Sequence, residues 1–316
     1  MSNQPLITVI GATGAQGGGL ARALLDDPER RFRVRAVTRR PDSIPARQLA
    51  ERGAEVVQAD LDDGASLGPA FEGAFGAFCV TNYWEHLSPE REQTQARAMA
   101  AAAKRHGVEH VIWSTLEDTR RFVSLADARM PTLLGRYKVP HFDAKGEIDA
   151  EFLELGLPTT FLLASFYWEN LIHFGMQPRP DGNGGWVLSL PLDGAKLPGV
   201  AVEDIGRSAF AVFCRSRDYI GKTVGVAGEH LSGDEMAGIL SQALRRPIRF
   251  QDMSPVHYRS LGFPGAEDLG NMFQFQRDFA DAFGQARAVE PLRQLNPRLL
   301  DFSAWARTHG DQIPLT

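Results

Sequence analysis

The first half of the chain alternates short β-branched runs with longer alanine-rich or charged segments, and this alternation constrains the fold more than any other feature. A parallel sheet requires such a pattern, because parallel strands are joined by helical crossovers. The sequence predicts strands at residues 6–10, 33–38, 54–58, 77–80 and 110–114. Helical segments are predicted between them at 19–25, 43–52, 66–71 and 89–105.

The pattern continues once more and then changes. A helical segment at 142–155 ends before Pro158 and leads into a sixth strand at 159–163. A turn-rich stretch then interrupts the alternation. The remaining predicted elements are a strand at 186–190 and helices at 232–243 and 270–283.

Together these elements predict an α/β fold with two regions. Residues 1–165 are predicted to form a doubly wound parallel sheet, completed by parts of 196–230. Residues 166–316 are predicted to form a second, smaller α+β C-terminal region. No clear linker separates the two regions, so we expect them to pack directly together.

Composition excludes several classes of protein. The 316 residues are 43% hydrophobic and carry a net charge of −5, so the chain can bury a core and has no overall attraction for nucleic acid or anionic lipid. Cys79 and Cys214 form no Cys-x-x-Cys pair, which argues against a disulfide framework or a metal site. Because the apolar run near the N-terminus is short for a secretion signal, we expect a cytoplasmic protein without a membrane segment.

A glycine-rich motif, with Gly11, Gly14 and Gly17, follows the first strand directly and opens a helix. In the Rossmann dinucleotide-binding fold such glycines permit a tight turn, let the backbone approach a pyrophosphate, and let helix and strand pack closely. The motif therefore predicts a dinucleotide site. The alternative is a tight turn without a ligand, but Gly18 and Gly19 weaken the helix further, which packing alone would not require.

Two arginines, Arg39 and Arg40, follow the second strand, where an NAD-preferring domain carries a carboxylate for the ribose 2′-hydroxyl. Guanidinium groups at this place suit a 2′-phosphate and favour NADP over NAD. The alternative is a solvated basic turn. Asp60 and Leu61 follow the third strand and are predicted to receive the adenine, although N-capping by the aspartates that come next explains this acidic run equally well.

The proton-transfer pair of a short-chain dehydrogenase is absent from the chain. That pair is Tyr-x-x-x-Lys, and none of the five tyrosines lies four residues before a lysine. His141 and Lys145 occupy the corresponding place. Three roles stay open for Lys145: holding the ligand, acting in catalysis, or lying on the surface. His141 is a candidate base, or a helix-start and packing residue.

Several further motifs carry a resemblance to a known family. These are the glycine motif and the segments 80–85, 141–147, 167–170 and 262–269, which together span nearly the whole chain. With them the chain resembles the NmrA-like family of atypical short-chain dehydrogenases, and in particular its NADPH-sensing members. The resemblance implies a Rossmann domain, a smaller C-terminal region, and NADP held between them.

The resemblance also implies which residues meet the cofactor. One basic position of the family pattern is Thr94 here, so the resemblance does not imply a charged contact at this position. The implied cofactor-binding residues are Gly11, Thr13, Gly14, Ala15, Gln16, Arg39, Arg40, Asp60, Leu61, Thr81, Asn82, Tyr83, Lys145, Tyr167, Trp168 and Asn170, and the candidate catalytic residues are Lys145 and His141.

Family members either bind NADP(H) and report redox state to protein partners, or use NADPH to reduce quinones and other flat aromatic compounds. The missing tyrosine favours a redox sensor or regulator with little dehydrogenase activity. The alternative is an NADPH-dependent reductase that uses Lys145, and the aromatic residues near the motifs suit either a flat substrate or core packing. A third interpretation, an interaction module with an empty nucleotide site, disagrees with the intact glycines. A homodimer stays open.

Overall fold

The computed structural model describes residues 4–315 and divides into two compact units. The first unit contains the chain up to Asp118 together with Ala144–Leu163 and Ile205–Val224. The second contains Thr119–Asp143, Ala164–Asp204 and the chain from Gly225 onward. Among the described residues, no helix is long and apolar enough to cross a membrane.

The elements follow one another in regular alternation up to the sixth strand. In chain order they are β1 (Leu6–Val9), α1 (Ala15–Leu25), β2 (Arg33–Thr38), α2 (Ile44–Glu51), β3 (Glu55–Gln58), α3 (Leu67–Phe71), β4 (Gly76–Cys79), α4 (Pro89–Arg105), β5 (His110–Thr115), α5 (Pro140–Glu154) and β6 (Thr159–Leu163). They continue with β7 (Phe166–Tyr167), α6 (Asn170–His173), β8 (Arg179–Pro180), β9 (Trp186–Leu188), β10 (Leu197–Val200), α7 (Val202–Cys214), α8 (Ser216–Tyr219), β11 (Thr223–Gly225), β12 (Glu229–Leu231), α9 (Gly233–Leu244), β13 (Ile248–Phe250), α10 (Pro255–Arg259), α11 (Ala266–Asp278), α12 (Ala280–Gln285), α13 (Val289–Leu295) and α14 (Phe302–His309).

The central sheet has seven strands in the order β11-β6-β5-β4-β1-β2-β3. Strand β1 pairs in parallel with both β2 and β4. The chain therefore places β2 and β3 on one side of β1 and then β4, β5 and β6 on the other side. The predicted Rossmann-type fold is confirmed, with smaller sheets β12-β10-β7 and β13-β9-β8 in the C-terminal region. In such sheets ligands bind beyond the carboxyl ends of the strands at the point where the order reverses, here between β1 and β4.

One face of the sheet is covered by a core that α3, α4 and α5 share with the strands. Trp113 of β5 stacks on Phe152 of α5 with ring centroids 5.1 Å apart, and both side chains are fully buried. Met99 of α4 and Phe71 of α3 belong to the same cluster. Burial of each such side chain contributes about 1.5–3 kcal/mol, so this face anchors the strands whose ends carry the site.

Helices α1 and α7 approach each other at two glycines. A Cβ on Gly206 would lie 2.1 Å from the carbonyl carbon of Gly19, so the two backbones are in direct contact. Glycine is therefore required at position 206, because a side chain there would collide with the backbone of α1.

The predicted bounds of one C-terminal helix were wrong. The segment 270–283 is divided between α11, which begins at Ala266, and α12. Phe279 separates them with φ −120° and ψ 32°, outside the helical region. Gly265, with φ +86°, precedes the true start of α11.

Candidate functional site

The glycine turn joins the carboxyl end of β1 to the amino end of α1. Gly11 has φ +63°, in the left-handed region that glycine enters without steric cost. The N–H of Gly14 donates to the Gly11 carbonyl oxygen at 2.8 Å and closes the turn. A Cβ on Gly17 would lie 2.5 Å from the carbonyl oxygens of Gly11 and Ile10, so a side chain here would force the helix away from the strand.

Helix α1 has an amino end suited to an anion. Its N-cap residue, Gly14, offers no side chain to accept the first N–H groups, and no acidic residue lies in the first turn. Helix α4 differs, because Ser88 caps it and Glu90 and Glu92 lie in its first turn. The amino end of α1 therefore presents N–H groups and the positive end of the helix dipole to the edge of the sheet.

We expect Gly17→Ala to lower the free energy of unfolding by about 1–3 kcal/mol, as overpacking does in a dense core, and to weaken dinucleotide binding. Gly68→Ala in α3 is the matched control, because a Cβ there meets nothing within 4 Å. Chemical denaturation of both variants measures the difference. Equal free energies of unfolding for the Gly17→Ala and Gly68→Ala variants would contradict the close contact at Gly17.

The two arginines after β2 differ in their surroundings. The Arg39 guanidinium donates to Glu85 at 2.8 Å, and both side chains are about half exposed. Arg40 is exposed, and within residues 4–315 its guanidinium forms no ion pair. Thr13 of the glycine turn lies beside the end of β2, with its Oγ1 3.3 Å from that of Thr38. An anion bound at this edge would therefore pair directly with Arg40, whereas Arg39 would first have to release Glu85.

The acidic run after β3 has several distinct roles. Asp60 accepts the N–H of Asp62 at 3.0 Å, and Leu61 is half-buried. Asp63 caps the short helical turn that follows, so the N-capping alternative is confirmed for this residue. Asp62 instead binds the side chain of Arg91, whose hydrogen bond lowers the pKa of the Asp62 carboxyl. Capping does not exclude an adenine contact by Asp60 and Leu61, which stays a prediction.

Lys145 is buried rather than on the surface. Its Nζ donates to Thr81 Oγ1 at 2.6 Å and to the Ser114 carbonyl oxygen at 3.3 Å, and it lies 3.0 Å from Glu92 Oε1. It also lies 4.7 Å from the ring centre of Trp113. Three acceptors thus surround an ammonium group that has three N–H donors.

Glu92 is the partner that sequence reasoning missed. Its side chain is 1% exposed, and Thr81 Oγ1 donates to Glu92 Oε1 at 2.5 Å. Burial by itself raises the pKa of this carboxyl, but the charge of Lys145 and the hydrogen bonds around it outweigh burial and lower the pKa to about 2. Glu92 is therefore a carboxylate, and it neutralises Lys145 inside the protein.

A sequence signal for Glu92 did exist. Helix α4 buries Ala96, Met99 and Ala103, which lie four, seven and eleven positions after Glu92 and so share its face. A charged residue on an apolar helix face is normally paired, because an isolated buried charge is costly. The helical spacing thus predicts a buried partner for Glu92, but it does not identify that partner as Lys145.

His141 meets a residue from another of the resemblance motifs. Its Nδ1 lies 2.6 Å from Asp268 Oδ1, and its backbone N–H donates to Asp268 Oδ2 at 3.2 Å. Both side chains are buried. Asp268 therefore fixes the imidazole and satisfies an N–H group in the first turn of α5, and both residues lie in the second unit.

The other predicted residues are distributed over both units. Thr81 and Tyr83 are buried, Asn82 is exposed, and its amide donates to Glu85 at 3.1 Å. Trp168 is 1% exposed and packs in an aromatic cluster with Trp305 of α14. All predicted cofactor residues lie in the first unit except Tyr167, Trp168 and Asn170, which lie in the second.

The fold and this edge of the sheet define a class of protein. It is a Rossmann-type α/β protein with a dinucleotide glycine turn, in which the buried lysine pairs with a glutamate and has no tyrosine four residues before it. The NmrA-like family model matches residues 3–306, and the chain belongs to the NmrA-like family. The resemblance read from the sequence motifs is confirmed.

The chain is similar to one curated relative in sequence and to two solved structures in fold. The NmrA-like family domain-containing oxidoreductase cpsB of Aspergillus campestris is 30% identical over 292 residues, covering 87% of this chain and 83% of that relative. The structure of NmrA, a negative transcriptional regulator, in complex with NADP is 24% identical with a TM-score of 0.77, covering 97% of this chain and 95% of NmrA. Triphenylmethane reductase of Citrobacter sp., complexed with NADP(H), is 19% identical with a TM-score of 0.72, covering 96% of this chain and 99% of the reductase.

Proposed function

We propose that the protein binds NADP(H) and acts as a redox sensor or regulator with little dehydrogenase activity. The observation that carries this proposal is the environment of Lys145, whose three N–H donors face Thr81, Glu92 and the Ser114 carbonyl. A proton donor must reach its substrate directly or through one water. Lys145 is instead committed to a buried ion pair, which suits a binding role.

The residues present fit a dinucleotide. A Cβ on Gly14 would lie 3.3 Å from the Gly11 carbonyl oxygen, so the turn disfavours a side chain at this position, and no side chain caps the first N–H groups of α1. The amino end of α1 carries no acidic residue in its first turn. Gly11, Thr13, Gly14, Ala15 and Gln16 would hold the phosphates in this proposal.

The remaining contacts follow from the same edge of the sheet. Arg40 would bind the 2′-phosphate together with Arg39, and Asp60 and Leu61 would receive the adenine. Thr81, Asn82, Tyr83 and Lys145 would line the nicotinamide ribose. A bound nicotinamide supplies a hydride acceptor or donor, and the residues around it determine whether a substrate can approach.

A relative with a reducing activity supports a second candidate function. Citrobacter triphenylmethane reductase was solved with NADP(H), and the Aspergillus relative is named an oxidoreductase. Under this alternative the chain reduces a quinone or another flat aromatic compound, and Lys145 acts in catalysis. The ion pair of Lys145 with Glu92 favours the sensor.

Titration calorimetry with NADPH and NADH, followed by NADPH oxidation assays with a simple quinone and a triphenylmethane dye, tests the proposal. We expect NADPH to bind at least about tenfold more tightly than NADH. Turnover should stay at least about a hundredfold below the median enzyme rate of about 10 s⁻¹. Quinone reduction at ordinary enzymatic rates that Lys145→Ala abolishes would establish the reductase instead.

A further inference from the structure

Four side chains form a buried cluster at the carboxyl ends of β4 and β5. Lys145 Nζ lies 3.0 Å from Glu92 Oε1, and Thr81 Oγ1 lies within hydrogen-bond distance of both groups. The side chains of Lys145, Glu92 and His86 are 9%, 1% and 3% exposed. All four belong to the first unit, so the cluster forms within one compact body.

His86 lies beside Glu92 in this cluster. Its Nδ1 accepts the N–H of Ser88 at 3.1 Å. Nε2 faces Glu92 Oε2 at 3.5 Å, a long contact. The shorter contact of Glu92 is therefore the one with Lys145, at 3.0 Å.

The contacts of Lys145 are unequal in length. Those with Thr81 and Glu92 are 2.6 and 3.0 Å, whereas the contact with the Ser114 carbonyl oxygen is 3.3 Å. A ligand hydroxyl can replace the longest contact while the other two hold the ammonium in place. The charge of Glu92 also makes loss of a proton from Lys145 unfavourable, because it would leave a carboxylate buried without a counter-ion.

We propose that Glu92 is the positioning residue for Lys145: it orients the ammonium group and keeps it protonated, so that Lys145 donates a hydrogen bond to the coenzyme ribose and does not transfer protons. The inference deepens the proposed function and rests on it for the identity of the ligand. It assigns to α4, the helix between β4 and β5, a direct part in the site. It also explains why a glutamate lies on an otherwise apolar helix face.

The chain contains five lysines, so NMR of protein labelled with ¹³C at lysine Cε can follow each amine separately in the ligand-free protein. The Lys145→Arg variant assigns the signal. We expect Glu92→Gln to lower the titration midpoint of Lys145 by about one pH unit or more, because the buried amine loses its counter-charge. Glu90→Gln is the matched control on the exposed side of the same helix, and it should leave the midpoint unchanged.

Coenzyme affinity gives a second readout. Glu92→Gln should weaken NADPH binding about tenfold or more, and Glu92→Asp, which keeps the charge on a shorter side chain, should weaken it less while leaving the Lys145 titration near that of the unaltered protein. If Glu92→Gln does not fold, unchanged NADPH affinity in Glu92→Asp overturns the positioning role.

The two proposals fail in different ways. An unshifted Lys145 titration in folded Glu92→Gln overturns the role of Glu92, whatever the chain binds. Absence of NADPH binding by the unaltered protein overturns the proposed function alone, and a shifted titration then still supports the control of the Lys145 charge by Glu92. A lower melting temperature with unchanged titration and affinity would show a purely structural ion pair, and would also overturn the inference.

Discussion

Replacing Lys145 with methionine is expected to lower the free energy of unfolding by about 3–5 kcal/mol at pH 7, which is the usual cost of removing one partner from a buried ion pair. The loss arises because Glu92 keeps its charge in a site where it is 1% exposed. Chemical denaturation of the ligand-free protein measures it. Lys196→Met is the matched control, because the pair of Lys196 and Glu235 is exposed and should contribute less than about 1 kcal/mol.

The pH dependence of the same variant gives an independent check. In the unaltered protein the pKa of Glu92 falls from 4.5 to about 2, so its contribution to stability is present above about pH 4.5 and is lost as the pH falls toward 2. Without Lys145, burial dominates and raises the pKa of Glu92, so protonation relieves the cost. The loss in free energy of unfolding caused by Lys145→Met should therefore become smaller as the pH falls from 7 toward 4. Adding Glu92→Gln to Lys145→Met should recover stability at pH 7. A deficit that is constant with pH would contradict a charge-based origin.

Arg39→Asp is expected to narrow or invert the preference for NADPH over NADH, with a change of about tenfold or more in the ratio of the two dissociation constants. A carboxylate at this place repels a 2′-phosphate and accepts a hydrogen bond from a ribose 2′-hydroxyl. The substitution also removes the contact of Arg39 with Glu85 and places two acidic groups near each other. Titration calorimetry with both coenzymes measures the ratio.

Arg47→Asp controls for the change in net charge, because Arg47 is exposed on α2 and lies outside the predicted site. It should weaken both coenzymes little and equally. Equal affinities of NADPH and NADH for the unaltered protein would refute the 2′-phosphate assignment. A ratio that Arg39→Asp leaves unchanged, while Arg40→Asp alters it, would assign the 2′-phosphate to Arg40.

Several elements were predicted accurately because their signals are local. Strands β2 and β6 and helix α4 have the predicted bounds. Helix α4 begins with a Ser88 cap and a proline in its first turn, and Gly107 follows its end with φ +64°. The wrong helix bounds at 270–283 also have a local cause. Alanine and phenylalanine continue the apolar pattern through Phe279, whereas the backbone leaves the helical region at that residue.

The site was predictable only in part. Glycines and arginines indicate a dinucleotide site in the sequence itself. The backbone geometry of the turn requires glycine, and the charge of a phosphate favours arginine. Neither Glu92 nor Asp268 was predicted as a partner, because Lys145 is 53 positions from Glu92 and Asp268 is 127 positions from His141. Contacts at such separations have no local signature in a single sequence.

By itself the sequence determined the alternating elements, the parallel sheet, the glycine turn and the family. These features depend on the spacing of apolar residues along the chain and on glycines, whose effect is on the local backbone conformation. Only the tertiary structure decided that Lys145 is buried against Glu92, that Arg39 contacts Glu85, and that Asp268 holds His141. The physical reason is that the state of a charged side chain depends on the burial and counter-charge around it, which distant segments supply only after the chain has folded.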